Sequence, residues 1–484
     1  MSTPIIPGYH PDPSVCRVGD RYVLATSSFE YAPGVPLFES RDLLTWSPLG
    51  HALARPSQLA VRPGVAGASG GIYAPTLRHH DGRYWLTTTN VDEIQRGHLI
   101  VHAEDPAGPW SDPVWTTGVI GIDPDLAWDD DGACHLTWSD PVRGGISQVR
   151  VDPRTGALLS DPAEIWRGTG GAHAEGPHVV RRGAWWYLVV AEGGTGHGHM
   201  VTVARSRAVD GPYEAAPSNP VLTHRSTAGP VQATGHADLV ELADGSWAMV
   251  HLGTRPRGSF PRWHTNGRET FLVGVDWVDD WPVVVEDRFA PDPTPRAFDD
   301  RFTAAELHPR WVSPGTHPAT FAAPGPDGLA LRAGRTAAAR DAVHLLAARV
   351  QDLAWSAAVH AEGDVALTVR VDDAHQVAVQ RVGRTVTARA VVGPLDQVLA
   401  VHDDVAPGAA LAVRAEPCAS RPGRRTGPDQ LVLGHEGPDG FTELARIDGR
   451  YLSTEVAGGF TGRVVGVEAL GADALVTRFR YAGS

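Results

Sequence analysis

The sequence predicts an all-β chain, a five-bladed β-propeller followed by a β-sandwich, and three observations predict it. A turn followed by an aromatic-rich strand recurs five times in the first half. Tryptophan is concentrated ahead of a Pro-rich junction near residue 290. Short apolar stretches alternate with Gly and Asp throughout, and no long capped segment with a 3.6-residue period interrupts them.

The repeats come first, because they set the architecture. They read Gly19-Asp20-Arg21-Tyr22, Asp81-Gly82-Arg83-Tyr84, Asp131-Gly132-Ala133-Cys134, Arg182-Gly183-Ala184-Trp185 and Asp244-Gly245-Ser246-Trp247. Their last residues are spaced by 62, 50, 51 and 62 positions, which suits one four-stranded sheet per repeat, the build of a propeller blade. A second set of turns with an aromatic, at Asp42-Leu43-Leu44-Thr45-Trp46, Ala107-Gly108-Pro109-Trp110 and Asp210-Gly211-Pro212-Tyr213, reads as outer strands of the blades. A plain β-sandwich would also alternate, but five aligned units at this period favour the propeller.

Thirteen of the fifteen tryptophans precede residue 282. Ala290-Pro291-Asp292-Pro293-Thr294-Pro295 is then a stiff junction of the kind that links domains. The expected division is a propeller over residues 1–290 and a second domain over 297–484. In the latter, Val365-Ala366-Leu367-Thr368-Val369-Arg370-Val371 alternates with the period of a strand, as Gln376-Val377-Ala378-Val379-Gln380 does more loosely, which predicts an antiparallel sandwich.

Composition narrows the function. A net charge of −14 disfavours nucleic acid and anionic membranes as partners and suits a neutral substrate. All 42 basic residues are arginine, so Schiff-base chemistry and a P-loop lysine are excluded. Three cysteines form no disulfide framework and no metal-ligand spacing. The first twelve residues lack a basic start and an apolar core, and no apolar run approaches the ~20 residues of a membrane span. A cytoplasmic protein is the expectation.

The chemistry lies one strand before each repeat. Stepping back 10, 10, 11, 10 and 11 residues from the five repeat positions gives Asp12, Ala74, Asp123, Glu175 and His236. In a propeller these innermost strands line the axis, so equivalent positions converge at one mouth. A single carboxylate there would cap a turn or pair with an arginine. Three together, on otherwise small or apolar strands, argue for chemistry, because unpartnered buried carboxylates are costly. Such a set suits inverting glycoside hydrolysis, which needs a base for water and an acid for the leaving oxygen, about 6.5–9.5 Å apart. A third, ionised acid would keep the acid protonated by like-charge repulsion.

Six motifs in order then resemble glycoside hydrolase family 43. They are His10-Pro11-Asp12-Pro13-Ser14, Gly70-Gly71-Ile72-Tyr73-Ala74-Pro75-Thr76, Gly121-Ile122-Asp123-Pro124, Glu175-Gly176-Pro177-His178, Gly235-His236-Ala237 and Gly267-Arg268-Glu269-Thr270. The branch they resemble holds β-xylosidases and α-L-arabinofuranosidases with a carboxy-terminal concanavalin-like sandwich. The resemblance implies that Asp12 is the general base, Asp123 the modulator and Glu175 the general acid. It implies that Arg268 pairs with the modulator or with sugar hydroxyls; a structural pair with Glu269 is the alternative. Phe29 and Tyr73 would wall the sugar pocket, with Thr195 a further binding residue. Tyr73 replaces the tryptophan of many family xylosidases, which bears on sugar preference. His236 would reach a calcium or other ion held by waters on the axis, or simply be hydrogen-bonded there; the reaction itself requires no cofactor. Gly196-His197-Gly198-His199 reads as a flexible loop near the mouth, and Asp129-Asp130-Asp131-Gly132 as a blade turn.

The expected function is therefore an inverting exo-glycosidase releasing terminal β-D-xylose or α-L-arabinofuranose from short plant oligosaccharides, with β-xylosidase leading. Its partners would be a small oligosaccharide and, as one option, further copies of itself in a homo-oligomer. A non-catalytic carbohydrate-binding propeller is the alternative class, but would not need three converging acids. A protein-interaction propeller would line its axis with small or apolar residues.

Overall fold

The structure, a computed structural model, describes residues 3–334, 343–418 and 425–484. Its first half consists of five four-stranded antiparallel sheets, each built from strands in sequence order, blade one passing over the two-residue strand Tyr31–Ala32. The innermost strands are Ser14–Val18, Thr76–His80, Ile122–Trp128, Glu175–Arg182 and Gln232–Glu241. Every repeated turn opens the second strand of its blade: Arg21–Ala25, Arg83–Thr88, Cys134–Asp140, Trp185–Glu192 and Trp247–Thr254. The second set of signals differs from expectation. Asp42, Ala107 and Asp210 begin the connections ahead of the fourth strands, and Trp46 and Trp110 turn their indole N–H back onto carbonyls of those same turns.

No blade borrows a strand from another, so the ring closes by packing and by main-chain hydrogen bonds from the segment ahead of blade one. The amino-terminal segment lies along blade five: Ile5 N–H donates to Thr270 O at 2.9 Å and His10 N–H to Arg268 O at 3.0 Å. Ile5, Ile6 and Val15 pack there against Val240, Val250 and Leu272. Burial of such aliphatic side chains at roughly 1.5–3 kcal/mol each holds the seam.

The second domain stacks a six-stranded sheet, containing Val365–Asp372 and His375–Val382, on an eight-stranded one. Val369, Val379, Leu411, Leu433, Val467 and Phe479 fill the space between. The two halves interlock. Ser313 and Pro314 pair with Ala32 and Tyr31 of the propeller, and buried Arg370 donates to Glu30 at 2.8 Å and to Tyr31 at 3.2 Å. Among the described residues no helix is long and apolar enough to cross a membrane.

Candidate active site

The innermost strands are irregular where the sequence places its candidates. Asp12, Asp123 and His236 have φ of 56°, 57° and 44°, in the left-handed region that side chains other than glycine seldom adopt. The ladder slips between Ile122 and Asp125, between Glu175 and His178, and around His236. Such bulges re-aim side chains, here out of the strand and towards the axis. Gly176, at φ 59°, follows Glu175; a Cβ there would stand 2.9 Å from the His236 ring. Strain of this kind persists where the surroundings over-determine it, as at functional sites.

The result is one cavity of about 290 Å³ lined by Asp12, Asp123, Glu175, Tyr73, Arg268 and Phe460, among others. It is small beside common ligand pockets of ~300–1,000 Å³, which suits one sugar ring at a chain end. Asp12 accepts from Ser27 Oγ at 2.5 Å and from Arg268 Nη1 at 3.3 Å. Burial pushes its carboxyl up, but the Arg268 guanidinium and the Ser27 hydroxyl more than offset this and hold it below its ordinary value. Glu175 goes the other way: burial, helped by the Asp12 charge, raises it to about 6 although Arg268 opposes. Asp123 is also raised, by burial and then by Glu175 and Asp12. Repulsion between Asp123 and Glu175 is mutual, so the protons of the two come off in steps that belong to the pair. Asp123 Oδ2 also accepts the Gly176 N–H at 3.1 Å, tying it to the bulge that carries Glu175.

Arg268 pairs differently from expectation. Its partners are Asp12 and Thr195 Oγ1, the latter at 3.1 Å, and neither Asp123 nor Glu269. The reason is local: the His10 and Arg268 backbones are hydrogen-bonded, which brings Asp12 within reach. Glu269 is instead held by Arg255 at 2.6 and 2.8 Å. The buried Nε of Arg268 has no protein partner. Phe29 and Tyr73 meet edge to face at 5.6 Å. A third ring, Phe460 of the second domain, lies 6.0 Å from each and 5.1 Å from the Arg268 guanidinium. The main-chain N–H of Phe460 donates to Ser69 Oγ at 2.8 Å, fixing the loop that delivers it.

Residues 1–282 match the model for glycosyl hydrolases family 43. The chain belongs to this family. Residues 299–481 match the beta xylosidase C-terminal concanavalin A-like domain. This family 43 chain is 45% identical over 287 residues to the non-reducing end alpha-L-arabinofuranosidase BoGH43B of Bacteroides ovatus, covering 59% of the chain and 53% of that relative. It is 40% identical over 308 residues to the xylan 1,3-beta-xylosidase of a Vibrio species, covering 59% and 57%. The chain thus spans about half the length of the curated relatives it matches. Among solved structures, the xylan beta-1,4-xylosidase from Bacillus halodurans superposes with a TM-score of 0.86 at 30% identity, over 99% of both chains. That similarity extends the family 43 arrangement of propeller and sandwich to nearly the whole chain.

Three features of this family 43 pocket escaped the sequence reading. Phe460 arrives from the second domain, announced only by the glycines before it, Gly458 and Gly459. His173 lines the rim two residues before Glu175. His199, read as part of a flexible loop, is buried; its Nδ1–H donates to Ala233 O at 3.1 Å, and its ring occupies the space a Cβ on Gly235 would fill.

A calcium ion on the axis would take about 6–8 oxygen ligands. His236 Nδ1 lies 3.5 Å from Asp12 Oδ1, and its Nε2 is buried without a protein partner. Among the described residues no three His, Cys, Asp or Glu side chains are placed to hold a metal ion. Among the described residues, side chains alone therefore do not supply the ligand set of a calcium ion here.

Proposed function

We propose that the protein is an inverting, exo-acting glycoside hydrolase that releases terminal pentose from short plant oligosaccharides, with β-D-xylose the leading sugar. The observation that carries the reading is the divergence of two carboxyls in one small pocket: Asp12 is held below its ordinary value and Glu175 raised to about 6. In this reading ionised Asp12 takes a proton from water, and the oxygen of that water attacks the anomeric carbon. Glu175 gives its proton to the departing glycosidic oxygen on the opposite side, so the configuration inverts. Asp123 opposes ionisation of Glu175 and orients it through Gly176. Arg268 keeps Asp12 ionised and offers its remaining N–H groups to sugar hydroxyls, while Phe29, Tyr73 and Phe460 pack on the ring. A pocket this small favours a chain end over an internal unit. We place the protein in the cytoplasm, where the free cysteines Cys16, Cys134 and Cys418 stay reduced.

α-L-Arabinofuranosidase is the second reading, favoured by the 45% identity to an arabinofuranosidase and by Tyr73. Hydrolysis of nitrophenyl β-D-xyloside, nitrophenyl α-L-arabinofuranoside and xylobiose by wild type and Glu175→Ala tests both. The ratio of the two chromogenic rates names the sugar. Xylobiose needs leaving-group protonation, so its turnover should collapse in the variant. No turnover of any of the three by wild type would overturn the pentosidase reading.

A further inference from the structure

Below the pocket a second ring of side chains crosses the propeller axis. It is drawn from the same five innermost strands, two to four residues beyond the converging positions: Ser14, Arg78, Asp125, His178 and Asp238. Arg78 is its hub. Nη2 lies 2.8 Å from Asp125 Oδ1 and 3.0 Å from His178 Nδ1; Nη1 lies 2.7 Å from Asp238 Oδ2 and 3.3 Å from Ser14 Oγ. Asp125 and Asp238 are wholly buried. Arginine only donates, so His178 Nδ1 accepts from it. The layer sets two buried carboxylates against the Arg78 guanidinium, which cannot escape by losing its proton.

The same carboxylates hold the strands that carry the chemistry. Asp238 accepts from Ser14 Oγ at 2.8 Å and from the Val15 N–H at 3.1 Å, two and three residues after Asp12. Asp125 accepts from the Val179 N–H at 2.7 Å, four residues after Glu175. Arg78 thus links blades one, three, four and five from its place on blade two.

We infer that Arg78 is the built-in axial cation of this propeller, standing where a metal ion would otherwise balance the axis, and that it positions Asp12 and Glu175 through the two carboxylates. The positioning half rests on the proposed roles of those two residues; the charge half does not. Arg78 is a positioning residue, since it does not line the pocket and its partner His178 lies between it and His236, the two imidazole rings 5.9 Å apart. A cavity of about 290 Å³ opens on it between Val15, Cys16, Val179, Leu239 and Trp247. That opening gives a small cation access to the space an alanine would leave.

The test has two arms. Exhaustive dialysis of the whole protein against EDTA should leave its melting temperature and kcat/KM unchanged. Loss of either, restored by calcium, overturns the inference. Arg78→Ala should lower the melting temperature and reduce kcat about 10²-fold, the scale of an ångström-sized misplacement, with KM little changed. Millimolar guanidinium, but not methylammonium, should restore both. A variant that keeps wild-type stability and kcat, or one that guanidinium leaves unrepaired, overturns it. Should Arg78→Ala not accumulate as folded protein, Arg78→Lys keeps a charge without the fork and should fold with kcat between the two; an unchanged kcat counts against positioning. The melting temperature reads the axial charge even if every glycoside fails as a substrate, so failure of the proposed function remains distinguishable.

Discussion

Glu175→Gln should make the protein more stable at neutral pH while disabling it. The Glu175 carboxyl titrates near 4.5 when exposed and is raised to about 6 by burial in the pocket. An acid whose pKa is raised by folding binds its proton more tightly in the native state, so stability falls as pH climbs through that window. At 1.36 kcal/mol for each tenfold change in proton affinity, the ionised side chain costs the fold about 2 kcal/mol above pH 6 and nothing well below 4.5. A neutral amide of the same shape removes that cost and also relieves the repulsion felt by Asp123. The assay is thermal unfolding of both proteins, at pH 7.5 and at pH 4. A melting temperature several degrees above wild type at pH 7.5, converging with it at pH 4, is the expected result. Xylobiose turnover should fall by about 10²–10⁴ at the same time, the worth of a general acid. An equal shift at both pH values, or destabilisation at pH 7.5, would refute the electrostatic reasoning.

Three further outcomes are expected. The pH profile of kcat/KM on xylobiose should be bell-shaped, with the alkaline limb near 6, where Glu175 loses its proton, and the acid limb below the ordinary carboxylate range, where Asp12 gains one; a limb near 4 assigned to Asp12 would contradict its pairing with Arg268. Arg268→Ala should move both limbs to higher pH, because the guanidinium lowers both carboxyls, and pH–rate measurements on the variant would show it. Phe460→Ala should raise KM for small glycosides and lower kcat/KM about tenfold, the ~1.4 kcal/mol of one aromatic contact, with circular dichroism unchanged; an unaltered KM would place Phe460 outside the sugar site.

The repeated turns were legible because each is a local event, and each opens a second strand. The converging positions followed from a constant offset, since 10 or 11 residues separate each of them from the repeat position after the turn, although the innermost strands themselves run from 5 to 10 residues. What stayed hidden were meetings between distant segments. Phe460 reaches Arg268 across the domain interface, and the two glycines before it mark a loop but not the contact. His199 looked mobile amid its glycines, yet the missing Cβ of Gly235, on another blade, makes room for its ring. The partner of Arg268 depended on a backbone hydrogen bond across the ring closure, which motif order does not express. Arg78 carried no motif at all; its part appears only when five strands are placed around one axis.

The seam between the first and last blades is also where Asp12 and Arg268 face each other. Each blade is complete in itself, so the joint that could part first, short of any blade unravelling, is this one. Parting it would draw the guanidinium away from the carboxylate while leaving most strands paired. Turnover is then a gauge of whether the circle is shut: under mild denaturant it should fade before the bulk β-sheet signal does, and a covalent staple across the joint would be expected to extend the working range of the protein rather than merely its melting point.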